Sequence, residues 1–541
     1  MTTDTSDWTL VDLVRKQATR YGEREFISFE QGARLSFADL DRDSDDLARR
    51  LATLGVGAGD RVLGLIKNRA ELLLSLIAVN KLGAIYATIN TELMGAFLQH
   101  QLHNSAPKVV LLDVDLVTAF QEVAAPDVGL QAVVVVAGEV PAAMPSLFDN
   151  VRRLSFAELA ALPAAPEAVL VAPSPHDVAC IMYTSGTTGP SKGVLMPQAH
   201  CYLAGYGSAT NVGIREDDIY YVCMPLFHAN GLLLQVIASL INGAQVHVVE
   251  RFSPNRWLDE VRAVGATLTN ALGVMPEFIY RQPPTDRDGD NKLRQVMAVP
   301  LADEWAGDFE KRFGVQLRQG FGMTECNIVA YTRPGDPLVP GCAGYIFDEF
   351  FDVRVVDPET DQEMPTGEVG EIVVRPLQPG CFMAGYYNMP DRTVEAWRNL
   401  WFHSGDAGRF DETGQLHFVD RIKDCIRRRG ENISSFEVEQ VLNNHPAVAE
   451  SAVIGVKTAD AGGEEEVMAV LVRGDGEIEN TALLDHCVEY MPRYAVPRFL
   501  VWTDNLDKTA TGKIQKQPLR DAGVTAEVWD RETVGYKIAR R

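Results

Sequence analysis

Four short apolar runs in the first 136 residues restrict the fold more than any other feature. Asp60–Ile66, Ala84–Ile89, Lys108–Leu112 and Gln131–Val136 are rich in Val, Ile, Leu and Ala, with almost no polar alternation. Strands of that kind are buried on both faces, the condition of parallel sheet covered by helices. Ala70–Leu82, between the first two runs, has helical spacing. The order strand, helix, strand predicts βαβ units and an α/β fold. Residues 9–55 are predicted helical throughout: Leu10, Leu13 and Val14 share one face, and Ser36-Phe37-Ala38-Asp39 opens a second helix.

Further along, the texture changes. Ala161–Pro175 is rich in Ala and Pro and reads as a surface connection. From 350 to 375 the pattern alternates, as in Phe351–Val356 and Gly370–Val374, which predicts antiparallel, half-exposed strands. Residues 424–541 read as a smaller α+β region, with helices near Ser435–Asn443 and 482–490 and strands near 450–456 and 466–473. A chain of 541 residues is too long for one core, so two to four structural units are expected.

Asp plus Glu exceed Lys plus Arg by 74 to 50, a net charge of −24. An acidic surface disfavours nucleic acid and anionic lipid as partners. It does not forbid a local phosphate site built from amides and a few cations. The eight cysteines form no CxxC pair, which suits reduced thiols better than a disulfide framework or a zinc site. The apolar stretch Leu63–Ile89 is broken by Lys67, Arg69, Glu71 and Lys81, too often to span a bilayer. With a polar N-terminus and no signal pattern, the expected location is cytoplasmic, without integral membrane association.

The densest local signal is Tyr183-Thr184-Ser185-Gly186-Thr187-Thr188-Gly189-Pro190-Ser191-Lys192-Gly193, after the strand-like run Val178–Met182. Four hydroxyls, three glycines and a lysine fall within the last nine of these residues. Glycines let backbone N–H groups approach an anion, hydroxyls donate to phosphate oxygens, and lysine adds charge. A plain Gly/Ser/Thr surface loop has the same composition, and the spacing is not that of a Walker loop.

That segment resembles the phosphate loop of the adenylate-forming superfamily, which holds acyl-CoA synthetases, firefly luciferase and the adenylation domains of peptide synthetases. Five further segments agree in the family's order: Gly320-Phe321-Gly322-Met323-Thr324-Glu325, Ser404-Gly405-Asp406, Asp420-Arg421-Ile422-Lys423-Asp424, Gly430-Glu431-Asn432-Ile433, and Lys508-Thr509-Ala510-Thr511-Gly512-Lys513. The likeness runs from about Leu13 to about Leu519, and looks most like the carnitine-CoA ligase-type branch of acyl-CoA synthetases. It implies a large N-terminal domain of parallel and mixed sheets with a small β-barrel-like subdomain, 1–422. A small mobile α+β domain, 423–541, would follow, with a hinge at Lys423.

The resemblance also implies roles. ATP would be held by Thr184, Ser185, Gly186, Thr187, Thr188, Gly189 and Lys192, by Gly320, Phe321, Gly322, Met323 and Thr324, and by Asp406, Arg421 and Lys513. Phe321 would stack on adenine, Thr324 would touch the α-phosphate, and Glu325 would hold Mg2+. Asp406 would accept from the ribose hydroxyls. Lys513 would bridge the acid and the α-phosphate during adenylation. CoA would then meet Arg428, Arg429, Gly430 and Glu431, part of a basic run that reads equally as a solvated face. His228, in Pro225-Leu226-Phe227-His228, would gate the acyl pocket formed with Gly231, Ala298 and Val299.

Departures are visible. Asp507 stands where the family usually has Pro, and Val296–Leu301 replaces a Gly-Gly-Ala-Pro-like turn. Amino-acid-activating relatives place Asp where His228 stands, which disfavours an α-amino acid. No acidic residue stands out to meet a quaternary ammonium, so a small to medium organic acid is the expected substrate. The expected reaction joins that carboxylic acid to CoA through an acyl-AMP. Loading of a carrier-protein thiol, a luciferase-type oxygenation and a catalytically silent nucleotide-binding regulator stay open, as does the choice between monomer and homodimer.

Overall fold

The computed structural model describes residues 4–123, 129–141, 151–165, 170–184, 191–273, 275–299, 301, 303–339, 341–422, 424, 426–428, 431–433, 435–458, 465–474, 476–491, 493–509, 513–525 and 527–538. The chain forms two compact units, Met1–Asp352 with Val374–Leu400, and Val353–Val373 with Trp401–Arg541. The expected boundary after residue 422 falls inside the second unit, and the expected hinge Lys423 lies outside the described residues.

In the first unit the apolar runs become the middle of an eight-stranded sheet. Its order is Gly385–Tyr386, Lys192–Pro197, Val178–Thr184, Ile85–Thr88, Arg61–Leu65, Val109–Asp113, Ala132–Val136 and Arg152–Ser155. Pairing is parallel from Val178–Thr184 to the far edge, and antiparallel at the other end. The four central strands are buried because both faces are covered. Leu63, Leu65, Val110, Leu112, Val133 and Val135 pack with Leu98, Leu102 and Phe120 of the covering helices. The phosphate-loop segment therefore joins two antiparallel strands, and a Walker loop by contrast leads from a strand into a helix.

A second sheet of the same unit runs Gln316–Arg318, Gln295–Val299, Leu268–Leu272, Ile219–Val222, Gln245–Val248, Glu25–Phe29 and Arg34–Ser36. The helical reading of residues 9–55 is corrected only between its two helices, where Glu25–Phe29 and Arg34–Ser36 are strands. Two helices, Leu10–Tyr21 and Phe37–Thr53, flank a hairpin of Glu25–Phe29 and Arg34–Ser36. Glu25–Phe29 is drawn into a sheet by parallel pairing with Gln245–Val248, about which a local window says nothing. Phe37–Thr53 starts where Ser36 and Asp39 form a reciprocal capping box. A short antiparallel group, Gly320–Met323, Asn327–Tyr331 and Cys342–Ile346, completes the unit.

The second unit holds the long strand Trp401–Phe410 paired antiparallel with Leu416–Arg421. Its C-terminal part is the predicted α+β region. Helices Ser435–Asn443 and Asn480–Tyr490 lie with strands Val448–Lys457, Glu465–Arg473 and Phe499–Thr503, and Val438, Leu442, Val453, Leu471 and Leu484 pack in one core. The seven described cysteines carry free thiols. Among the described residues no helix is long and apolar enough to cross a membrane.

Candidate active site

In the first unit the strand Gly320–Met323 carries most of one predicted nucleotide segment. Phe321 is buried, Gly322 is exposed, and Thr324 follows partly exposed. Gly322 is there because nothing larger fits. A Cβ on it would lie 2.2 Å from the Asn327 carbonyl oxygen, across a strand pair whose register shifts at that point. Overpacking of this kind costs about 1–3 kcal/mol. Gly322→Ala is expected to weaken ATP binding about tenfold, measured by calorimetric titration, with a melting curve to show that the unit still folds.

Glu325 closes the segment at 4% exposure. Its Oε1 accepts from the Tyr386 hydroxyl at 3.0 Å, and the Thr184 hydroxyl stands 3.5 Å away. Lys192 Nζ donates to the same Tyr386 hydroxyl at 3.1 Å and lies 4.2 Å over the Tyr386 ring. Thr184, Lys192 and Glu325, distant in sequence, thus share one polar cluster. Ser185, Gly186, Thr187, Thr188 and Gly189 lie outside the described residues.

Two residues that sequence reasoning passed over hold this region together. His200, fully buried on the helix Gln198–Val212, has Nε2 2.9 Å from the Thr324 carbonyl oxygen. Burial lowers its pKa, so the ring is held neutral. Asn327 takes φ +75°, and its Nδ2 donates to the His200 carbonyl at 2.8 Å. Neither stands in a motif that a single sequence reveals.

The acyl-pocket candidates sit at the end of one strand, on the loop before a wide helix and in that helix's first turn. Ala298 is fully buried and Val299 partly so, at the end of Gln295–Val299, beside Ala271 and Leu272 of the next strand. His228 follows Phe227, their rings 4.6 Å apart. Thr88 Oγ1 donates to the Phe227 carbonyl, and the Leu226 N–H donates to Asn68 Oδ1, fixing this backbone. Gly231 lies in the π-helix Asn230–Ile237, where a Cβ would meet the Pro225 carbonyl oxygen at 2.6 Å.

In the second unit, Asp406 and Arg421 are direct partners across paired strands. Arg421 Nε lies 2.8 Å from Asp406 Oδ1, with side chains 40% and 4% exposed. The carboxylate is set by its surroundings. The Asp406 N–H donates to Ser404 Oγ, and the Gly405 N–H, at φ +71°, donates to Glu371 Oε1. Lys513 stands in the field of this pair. As a residue it is exposed, yet crowding around its ammonium lowers its pKa, the Arg421 charge lowers it further, and Asp406 raises it. Its backbone is tied by the Thr509 N–H to the Lys513 carbonyl at 2.7 Å and by the Lys513 N–H to Thr509 Oγ1 at 3.1 Å.

The CoA candidates behave differently. Arg429 and Gly430 lie outside the described residues, as does the side chain of Glu431. Arg428 is neither a solvated cation nor a waiting one. Its Nε lies 2.7 Å from Glu466 Oε2, with both side chains under a tenth exposed, and it also donates to the Tyr494 carbonyl. To reach a coenzyme phosphate Arg428 would have to abandon that buried partner, so the expected contact with CoA competes with an ion pair.

Comparison with known proteins shows the family. Residues 14–387 match the family described as AMP-binding enzyme, and residues 437–513 match the AMP-binding enzyme C-terminal domain. A crotonobetaine/carnitine–CoA ligase of Salmonella enteritidis PT4 is 30% identical over 513 residues, covering 92% of this chain and 96% of that protein. The ATP-bound structure of MatB from Rhodopseudomonas palustris superposes with a TM-score of 0.81 at 26% identity, over 95% of this chain and 98% of that one. The o-succinylbenzoate CoA synthetase of Bacillus subtilis, solved with its acyl-adenylate intermediate, gives 0.80 at 27% identity, over 97% and 100%. The chain belongs to the AMP-binding enzyme family and, within it, to the AMP-forming acyl-CoA ligases.

Proposed function

We propose that the chain activates a small to medium organic acid with ATP as a bound acyl-AMP and then passes the acyl group to CoA. Family membership over nearly the full chain supports the reaction class. One observation supports the assignment of residues: the predicted groups cluster within each unit, Thr184, Lys192 and Glu325 in the first, Asp406, Arg421 and Lys513 in the second.

The chemistry demands such groups. A carboxylate is a poor electrophile, and it must attack an α-phosphate that is itself anionic. The protein's task is to neutralise charge and align the reactants. In this reading Lys513 brings its ammonium to the acid and the α-phosphate, and Asp406 orients the ribose. Lys192 meets phosphate oxygens. In the second step the CoA thiol attacks the acyl carbon and AMP leaves, with His228 at the entrance to the acyl pocket.

Mg2+ fits this donor set. Among the described residues no group of three or more His, Cys, Asp or Glu could hold a metal alone. Mg2+ is commonly held by one or two carboxylates together with substrate phosphates, and Glu325 offers one buried carboxylate. When bound, the ion would neutralise charge on the phosphate oxygens. The cytoplasm is the proposed location, and a homodimer remains a proposal for its assembly.

The acceptor is tested by thiol consumption. With a competent acid, ATP and Mg2+, loss of the free CoA thiol is expected to match AMP formation one to one. AMP formation with no CoA loss, but with acylation of a phosphopantetheinyl carrier protein, would replace CoA by that carrier. Crotonobetaine and carnitine belong in the acid panel because a relative bears their names.

A further inference from the structure

Tyr386 stands between the two groups of the first unit that most need to stay apart. Its hydroxyl donates to Glu325 Oε1 at 3.0 Å and accepts from Lys192 Nζ at 3.1 Å. The Tyr386 side chain is buried, and its phenol hydroxyl can both donate and accept a hydrogen bond. Its place is built in. Gly385–Tyr386 pairs with the strand that Lys192 opens, the Tyr386 N–H donates to Thr393 Oγ1 at 2.9 Å, and the Met383 N–H donates to the Glu325 carbonyl at 3.1 Å.

An ammonium and a carboxylate that meet in so enclosed a place bind each other strongly, because little solvent competes. A direct Lys192–Glu325 pair would cancel the phosphate-seeking cation against the metal-seeking carboxylate. A neutral hydroxyl that bonds both prevents this, and the ring face gives Lys192 a resting position beside it.

We propose that Tyr386 is a positioning residue that keeps Lys192 and Glu325 from pairing, so that the ammonium stays open to nucleotide phosphates and the carboxylate to a divalent cation. This rests on the reading of Glu325 as the Mg2+ carboxylate, and the experiment separates the two. Binding of a non-hydrolysable ATP analogue is measured at saturating Mg2+ and again in EDTA. The gain in affinity due to Mg2+ is the readout, taken on the full chain with a melting curve for each variant.

Tyr386→Phe keeps the ring and removes the bridging oxygen. It is expected to cut the Mg2+-dependent gain about tenfold, and adding Lys192→Gln is expected to restore the gain by releasing Glu325. Coupling of that sign marks groups that act on each other. A merely structural role for Tyr386 predicts that the second substitution restores nothing, and that result would overturn the proposal. If Glu325→Gln keeps the wild-type gain, the metal reading fails and the proposal with it. If Glu325→Gln abolishes the gain while Tyr386→Phe leaves it intact, only the spacer role is overturned.

Discussion

Replacing Lys513 by Ala is expected to slow acyl-AMP formation about 10²–10³-fold, the usual cost of deleting one preorganised group that stabilises transition-state charge. Thioester formation from supplied acyl-AMP and CoA is expected to stay within about threefold of wild type, because in the proposed reading the ammonium serves only the first step. Burial lowers the Lys513 pKa, the Arg421 charge lowers it further, and the Asp406 carboxylate raises it. Single-turnover assays of the two half-reactions decide it. Equal losses in both steps, in a variant that melts like wild type, would show that Lys513 serves both half-reactions and overturn its assignment to the first.

Arg428→Met is expected to destabilise the second unit by about 3–5 kcal/mol, since it strands the Glu466 carboxylate in a buried position. The pair links the short strand Ile426–Arg428 to Glu465–Arg473. Arg428→Met with Glu466→Met is expected to recover most of that loss, because a buried ion pair replaced by apolar groups of similar volume is often close to neutral. Denaturant melts of the two variants test this. A raised KM for CoA with unchanged stability in Arg428→Met would instead return Arg428 to the coenzyme.

Local pattern was enough wherever local chemistry decides structure. The buried strands between Arg61 and Val136, the capped start at Ser36 and the helix Ser435–Asn443 were all legible, because apolar runs, capping residues and helical spacing act over a few residues. Glu25–Phe29 was not, since its strand exists through parallel pairing with Gln245–Val248, about 220 residues later. The same distance effect governs the site. Tyr386 reaches Glu325 and Lys192, and His200 reaches Thr324, across separations that no motif spans. Arg428 read as part of a basic face because its neighbours Arg427 and Arg429 are local in sequence and Glu466 is not.

The most direct test of the account incubates the full chain with ATP, Mg2+ and a broad panel of small to medium carboxylic acids, without CoA, and follows pyrophosphate together with trapped acyl hydroxamate. At least one acid is expected to release pyrophosphate and yield its hydroxamate, with both signals lost in Lys513→Ala. Pyrophosphate release that no acid stimulates, from a folded chain that binds ATP, would contradict it.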